Sequence, residues 1–153
     1  MRVVIQKVKY SKVSVDEKIV GEISKGFMIL LGVTHTDTEK EINWIANKIK
    51  DLRIFEDENN KMNLSLKDVN GEVLIISQFT LYANCIKGRR PGFTDAARPE
   101  MAESIYEKFI QKFKDFGIPT QCGIFGADMK VELLNDGPVT IILDSKDVPT
   151  LQN

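Results

Sequence analysis

Phe27-Met28-Ile29-Leu30-Leu31-Gly32-Val33 is an unbroken apolar run that follows directly on Gly26. Seven residues suit a strand buried on both faces better than a helix, which ordinarily needs ten or more. A strand covered on both faces belongs in the middle of its sheet, so this run predicts the central strand of the fold. A second stretch, Val73-Leu74-Ile75-Ile76-Ser77-Gln78-Phe79-Thr80, reads as another buried strand that turns polar at its end.

The flanking segments fill in the architecture. Upstream, Val3, Ile5, Val8, Val13 and Val15 supply β-branched, partly alternating positions, and Ile19-Val20 follows a turn from Asp16 to Lys18, with Gly21 and Gly26 as punctuation. Thr38 and Glu41 have the spacing of a capping box. Ile42, Ile45, Ile49 and Leu52 recur behind them at helical spacing, which predicts a helix from about Thr38 to Asp51. Glu56 to Asn60 reads as a polar turn. After a basic loop from Asn84 to Arg98, Pro99 suits a first helical turn; Met101, Ile105, Phe109 and Phe113 form an i, i+4 stripe that stops at Gly117 and Pro119. Thr120 to Gly123, Met129 to Leu134 and Val139 to Leu143 read as strands, the last two joined by the turn Asn135-Asp136-Gly137-Pro138. This order predicts an α+β fold with antiparallel or mixed sheets and two helices on one face.

The length of 153 residues suits one domain with a real core, spanning residues 1–153. Apolar residues at 42% and charged residues at 28% form an ordinary globular mixture, with no low-complexity tail. Met1 to Tyr10 lacks the continuous apolar stretch of a signal peptide or membrane span, so the expectation is a cytoplasmic protein with no membrane association. In that compartment Cys85 and Cys122 are expected to stay as free thiols. A net charge of −1 predicts no general affinity for polyanions, and any nucleic acid must be gripped locally. His35 is the single histidine, and no cysteine or acidic cluster has metal-ligand spacing. These features argue against a zinc site and leave little scope for a histidine base.

Four segments can carry chemistry. At Ser77-Gln78-Phe79-Thr80 the hydroxyls either satisfy local backbone groups or join strand-end N–H groups in an oxyanion pocket; Thr80 as a nucleophile lacks a visible activating base. Lys87-Gly88-Arg89-Arg90-Pro91, with Arg98 beyond, is either a solvated loop or a phosphate clamp whose planar guanidinium forks suit phosphate, with Phe93 free to stack or to fill core. Gly137-Pro138 supports an ordinary turn, since most X-Pro bonds are trans; a cis bond would present backbone carbonyls rigidly to a ligand. Phe125-Gly126-Ala127-Asp128-Met129 is either core or a place where a planar ligand approaches the backbone between an aromatic ring and a thioether.

These four segments, in this order, resemble the signature segments of bacterial-type D-aminoacyl-tRNA deacylases, and Val13-Ser14-Val15-Asp16 through Gly32-Val33 matches as well. The resemblance covers nearly the whole chain. It implies a barrel-like core with two helices and a cofactor-free homodimer that cleaves D-amino acids, and achiral glycine, from the 3'-terminal adenosine of tRNA. It further implies that Gly137-Pro138 is cis and excludes L side chains from the partner subunit's pocket. Ser77, Gln78, Phe79 and Thr80 would then line the catalytic site, with the Phe79 N–H facing the substrate carbonyl. Phe125, Gly126, Met129 and Ala102 would form the adenosine pocket, and Lys87, Arg89 and Arg90 would touch tRNA phosphates. Hydrolysis would draw on the RNA's own 2'-hydroxyl. Gly92 departs from the pattern, which often has serine there. Two other classes remain open on the residues alone: an esterase of small acyl compounds using Thr80, and a non-catalytic RNA-binding module.

Overall fold

The two buried runs meet backbone to backbone. In the computed structural model, which describes residues 1–152, they become β3 (Gly26–Gly32) and β6 (Glu72–Ser77). They pair in parallel, from Gly26 opposite Glu72 to Leu31 opposite Ser77. A Cβ at Gly26 would stand 1.8 Å from the Glu72 carbonyl oxygen, so only glycine permits this approach.

The sheet grows outward from that pair. β1 (Arg2–Val15) lies antiparallel to β3, β2 (Lys18–Ile23) antiparallel to β1, and β7 (Thr120–Cys122) parallel to β6, giving the order β2-β1-β3-β6-β7. This path curls until its ends meet. A Cβ on Gly21 of β2 would lie 2.7 Å from the Cys122 carbonyl oxygen of β7, so glycine allows the closure. The result is a mixed, barrel-like sheet with β3 at its centre. A two-stranded ribbon of β4 (Phe55–Glu56) and β5 (Met62–Leu64) stands apart.

Period-two alternation sends side chains to two cores. Phe27, Ile29, Leu31, Val73 and Ile75 pack under the helices, whereas Met28, Leu74 and Ile76 join Val8, Val13 and Ile23 on the other face. Helix α1 (Glu39–Asp51) contributes Ile42, Ile45 and Ile49, and α2 (Pro99–Asp115) contributes Ile105, Phe109 and Phe113. The capping box opens α1: the Glu41 carboxylate accepts from the Thr38 N–H and hydroxyl, both at 2.7 Å, while the Thr38 hydroxyl accepts from the Lys40 N–H at 3.2 Å. Burial pushes the Glu41 carboxyl upward, but the Thr38 hydrogen bonds outweigh it and hold the group below the ordinary glutamate range.

Two sequence expectations need correction. The segments 129–134 and 139–143 are not two strands reversed by a turn, because β8 (Lys130–Asp144) is one strand whose halves both pair with β1. Gln6 faces Thr140 and Val8 faces Asn135, so residues 136–139 lie opposite Lys7 alone, with Gly137 and Pro138 exposed and Val139 packed against the core. The turn-forming residues thus make a bulge within a strand, and the Asn135 side chain closes its base by accepting from the Val139 N–H at 3.2 Å and donating to the Thr140 hydroxyl at 3.1 Å. The second buried strand also ends earlier than its hydrophobicity predicts. After Ser77 the chain leaves the ladder, and Phe79–Tyr82 forms a 3-10 turn.

Lys7 itself is only 1% exposed and extends its Nζ to the Glu56 carboxylate at 2.9 Å. Cys85 is exposed and Cys122 half-buried, and the two are unpaired. Among the described residues, no helix is long and apolar enough to cross a membrane.

Two outcomes test this frame. Gly26→Ala is expected to lower the unfolding free energy by about 3 kcal/mol, the upper part of the range for overpacking; a urea midpoint equal to wild type would contradict it. The stability contributed by the Glu41 carboxylate is present above the ordinary glutamate pKa of about 4.3 and is lost as pH falls through the depressed folded value. Glu41→Gln is therefore expected to flatten the acid limb of a stability-against-pH curve, measured by denaturation at successive pH values.

Candidate active site

Three distant segments converge on a cavity of about 630 Å³, ordinary for a small-ligand site. The first is the exit from β6, where Ser77, Gln78 and Phe79 form one wall. Parallel pairing with β3 aims this exit, and the Gln78 N–H extends the ladder by donating to the Leu31 carbonyl at 2.8 Å. The following 3-10 turn then settles on Gly32, where a Cβ would approach the Leu81 Cβ to 3.0 Å and the Gln78 carbonyl oxygen to 3.2 Å. As the opening residue of that turn, Phe79 has a backbone N–H with no partner inside it. Phe79 is 54% exposed, and its ring meets Phe93 edge-on, with centroids 5.0 Å apart.

The second wall is the approach to α2, formed by Phe93, Ala96, Ala97, Arg98, Pro99 and Ala102. Its backbone is fastened to the end of β3. The Thr34 hydroxyl donates to the Asp95 carbonyl at 2.6 Å, the His35 Nε2 meets the Thr94 carbonyl at 2.6 Å, and the Ala97 N–H donates to the Val33 carbonyl at 2.9 Å. The third wall is Phe125-Gly126-Ala127-Asp128-Met129, between β7 and β8. Tyr106 of α2 backs Phe125, with centroids 6.0 Å apart, and its hydroxyl donates to the Ile75 carbonyl at 2.9 Å. Burial pushes the Tyr106 phenol above its ordinary value. Opposite, Gly123 makes room for Met129: a Cβ there would fall 2.4 Å from its sulfur.

The structure therefore brings together Ser77, Gln78, Phe79, Ala102, Phe125, Gly126 and Met129. It leaves the other candidates off this wall. Thr80 turns away, and its hydroxyl accepts a hydrogen bond from the Gln78 amide. Lys87, Arg89 and Arg90 sit exposed on a loop closed at its base by two Asn84–Gly92 backbone bonds of 2.7 and 2.9 Å. Gly137 and Pro138 occupy the β8 bulge outside their own chain's cavity, and the bond between them is cis. Ala96 and Ala97, which carry no chemical signal in the sequence, form wall that residue type alone could not indicate. Among the described residues, no group of three His, Cys, Asp or Glu side chains is placed to hold a metal ion.

The fold class is shared at long range. A solved structure described as a probable eukaryotic D-amino acid tRNA deacylase superposes with a TM-score of 0.79, at 18% identity over 93% of this chain and 97% of its own. A c-Myc DNA unwinding element binding protein superposes with a TM-score of 0.89, at 40% identity over 95% and 99%. The D-Tyr-tRNA(Tyr) deacylase family profile matches residues 4–144, and this chain belongs to that family. D-aminoacyl-tRNA deacylases of Fusobacterium nucleatum subsp. nucleatum and Clostridioides difficile are 68% and 59% identical to it. The alignments cover 96% and 95% of this chain, and 97% of each relative.

Gly123→Ala tests the third wall. The flexible thioether can move, so the unfolding free energy should change by less than about 1 kcal/mol, while KM rises about fivefold as Met129 is pushed from its place. Unchanged steady-state kinetics would detach Met129 from the site.

Proposed function

We infer that this protein is an ester hydrolase that cleaves D-aminoacyl-tRNA. Water adds across the ester between the amino acid's carbonyl carbon and the ribose oxygen of the terminal adenosine, releasing the free D-amino acid and tRNA with its hydroxyl restored. The observation that carries this inference is the meeting of Ser77-Gln78-Phe79 with Phe125 to Met129 in one cavity, in a chain 68% identical to a D-aminoacyl-tRNA deacylase. The Phe79 N–H donates to the substrate carbonyl as it gains negative charge, and the apolar face of Phe125 with Met129 holds the adenine. No histidine lines the cavity, and its one carboxylate, Asp128, is engaged by Lys130, so the RNA's own 2'-hydroxyl assists the attack, and the protein supplies orientation and electrostatic stabilisation.

The functional unit in this proposal is a homodimer. β8 pairs with β1 along one edge only, leaving a long edge strand of the kind that another chain can cover. Leu134 and Ile142 are exposed on that strand. The bulge carrying Gly137-Pro138 lies outside its own cavity, which is compatible with service to a neighbour's. Its carbonyls would collide with an L side chain, and a thousandfold preference requires only about 4 kcal/mol of such exclusion. Because nothing in this filter grips a side chain, varied D-amino acids and glycine are accepted. Lys87, Arg89 and Arg90 meet tRNA phosphates farther along the acceptor end, in the cytoplasm where charged tRNA is found. The position of Thr80, turned off the wall and bonded to Gln78, speaks against a threonine nucleophile.

Purified protein should release D-tyrosine from D-tyrosyl-tRNA over many turnovers and leave L-tyrosyl-tRNA at least about a thousandfold slower. Equal D and L rates would remove the chiral assignment; binding without turnover would return the protein to the RNA-binding modules.

A further inference from the structure

Two charged residues line the cavity, Arg98 and Asp128, and their situations differ. The Asp128 carboxylate is engaged by Lys130, whose Nζ lies 3.0 Å from both oxygens. Arg98 is exposed, and among the described residues its guanidinium has no hydrogen-bond or ion-pair partner. An otherwise largely apolar pocket thus presents one uncompensated positive charge. It is also held in place: Arg98 directly precedes Pro99 at the start of α2, and the preceding Ala97 is tied to Val33 by its backbone N–H.

We propose that Arg98 binds the phosphate on the 5' side of the nucleoside that occupies this cavity. This rests on the function inferred above. A nucleoside esterified at its 3' end is uncharged on the base and ribose, and the nearest anion of a polynucleotide is the phosphodiester joining it to the preceding residue. A guanidinium fork matches two phosphate oxygens, whereas an ammonium acts as a point charge. Arg98 therefore differs in role from Lys87, Arg89 and Arg90, which lie off the cavity wall. It makes the pocket read a nucleotide rather than a nucleoside.

The test compares adenosine with adenosine 5'-monophosphate, by NMR titration of the protein, and 3'-O-D-aminoacyl-adenosine with its 5'-phosphate in hydrolysis. Wild type should favour the phosphorylated member of each pair by about tenfold or more, as expected for a charge-assisted hydrogen bond. Arg98→Gln should abolish that preference by weakening only the phosphorylated ligands, and Arg98→Lys should restore part of it. Equal weakening of both members, an unaltered preference, or a wild type indifferent to the phosphate would each overturn the assignment. If neither ester is hydrolysed, the inferred reaction fails, but the titrations still decide the phosphate site.

Discussion

The parallel contact between β3 and β6 is the constraint on which the rest of this structure depends. At Gly26 one backbone presses against the other at a distance that no β-carbon tolerates, and at Gly32 the same strand receives the turn that follows β6. Between these two glycines, Phe27 to Leu31 feed both cores. Loss of the contact would move the exit of β6, and with it the placement of Ser77, Gln78 and the Phe79 N–H. Core packing and the position of the chemistry are consequently one problem here.

A second set of connections secures the cavity from behind. The Arg2 Nη1 donates to the Leu81 carbonyl at 2.7 Å, its Nε donates to Asp144 at 2.8 Å, and its guanidinium lies 4.9 Å from the centroid of the Tyr82 ring. The turn after β6 is thus clamped between Gly32 and the first residue of β1. Thr34, His35 and Val33 hold the opposite wall in the same manner, through backbone carbonyls and N–H groups. In the proposed mechanism such anchoring lets a site without a histidine base rely on orientation, since a reacting ester must stay aligned with fixed donors.

Much of this was legible in the sequence. The apolar run at 27–33, the Thr38–Glu41 capping box and the Met101-to-Phe113 stripe each specify a local period or cap, and each forms the predicted element, whereas the run expected as a strand over 73–80 stays one only to Ser77. The site segments were legible as unusual chemistry, and eight residues of Ser77-to-Thr80 and Phe125-to-Met129 share one cavity. Asn135 to Pro138 was harder, because turn residues encode a change of direction without saying whether the chain reverses or merely bulges. That choice is made by β1, which accepts both halves of β8 in line. Ala96 and Ala97 were invisible for a different reason: a small apolar side chain signals neither binding nor catalysis until its neighbours are known.

The proposed chiral filter spans two subunits, and mixed dimers test that most directly. One protomer would carry Ala102→Trp, which fills the pocket but keeps the natural bulge; its partner would carry Gly137→Ala, whose new Cβ would fall 2.7 Å from Val139 Cγ2. The mixed dimer's only open pocket faces the intact bulge of the other chain if the filter acts across the interface. Hydrolysis of D-tyrosyl-tRNA and L-tyrosyl-tRNA by the isolated heterodimer should then show wild-type discrimination at about half the wild-type rate, one pocket of two being open. Discrimination as poor as that of the Gly137→Ala homodimer would show that each bulge serves its own chain and would contradict the account.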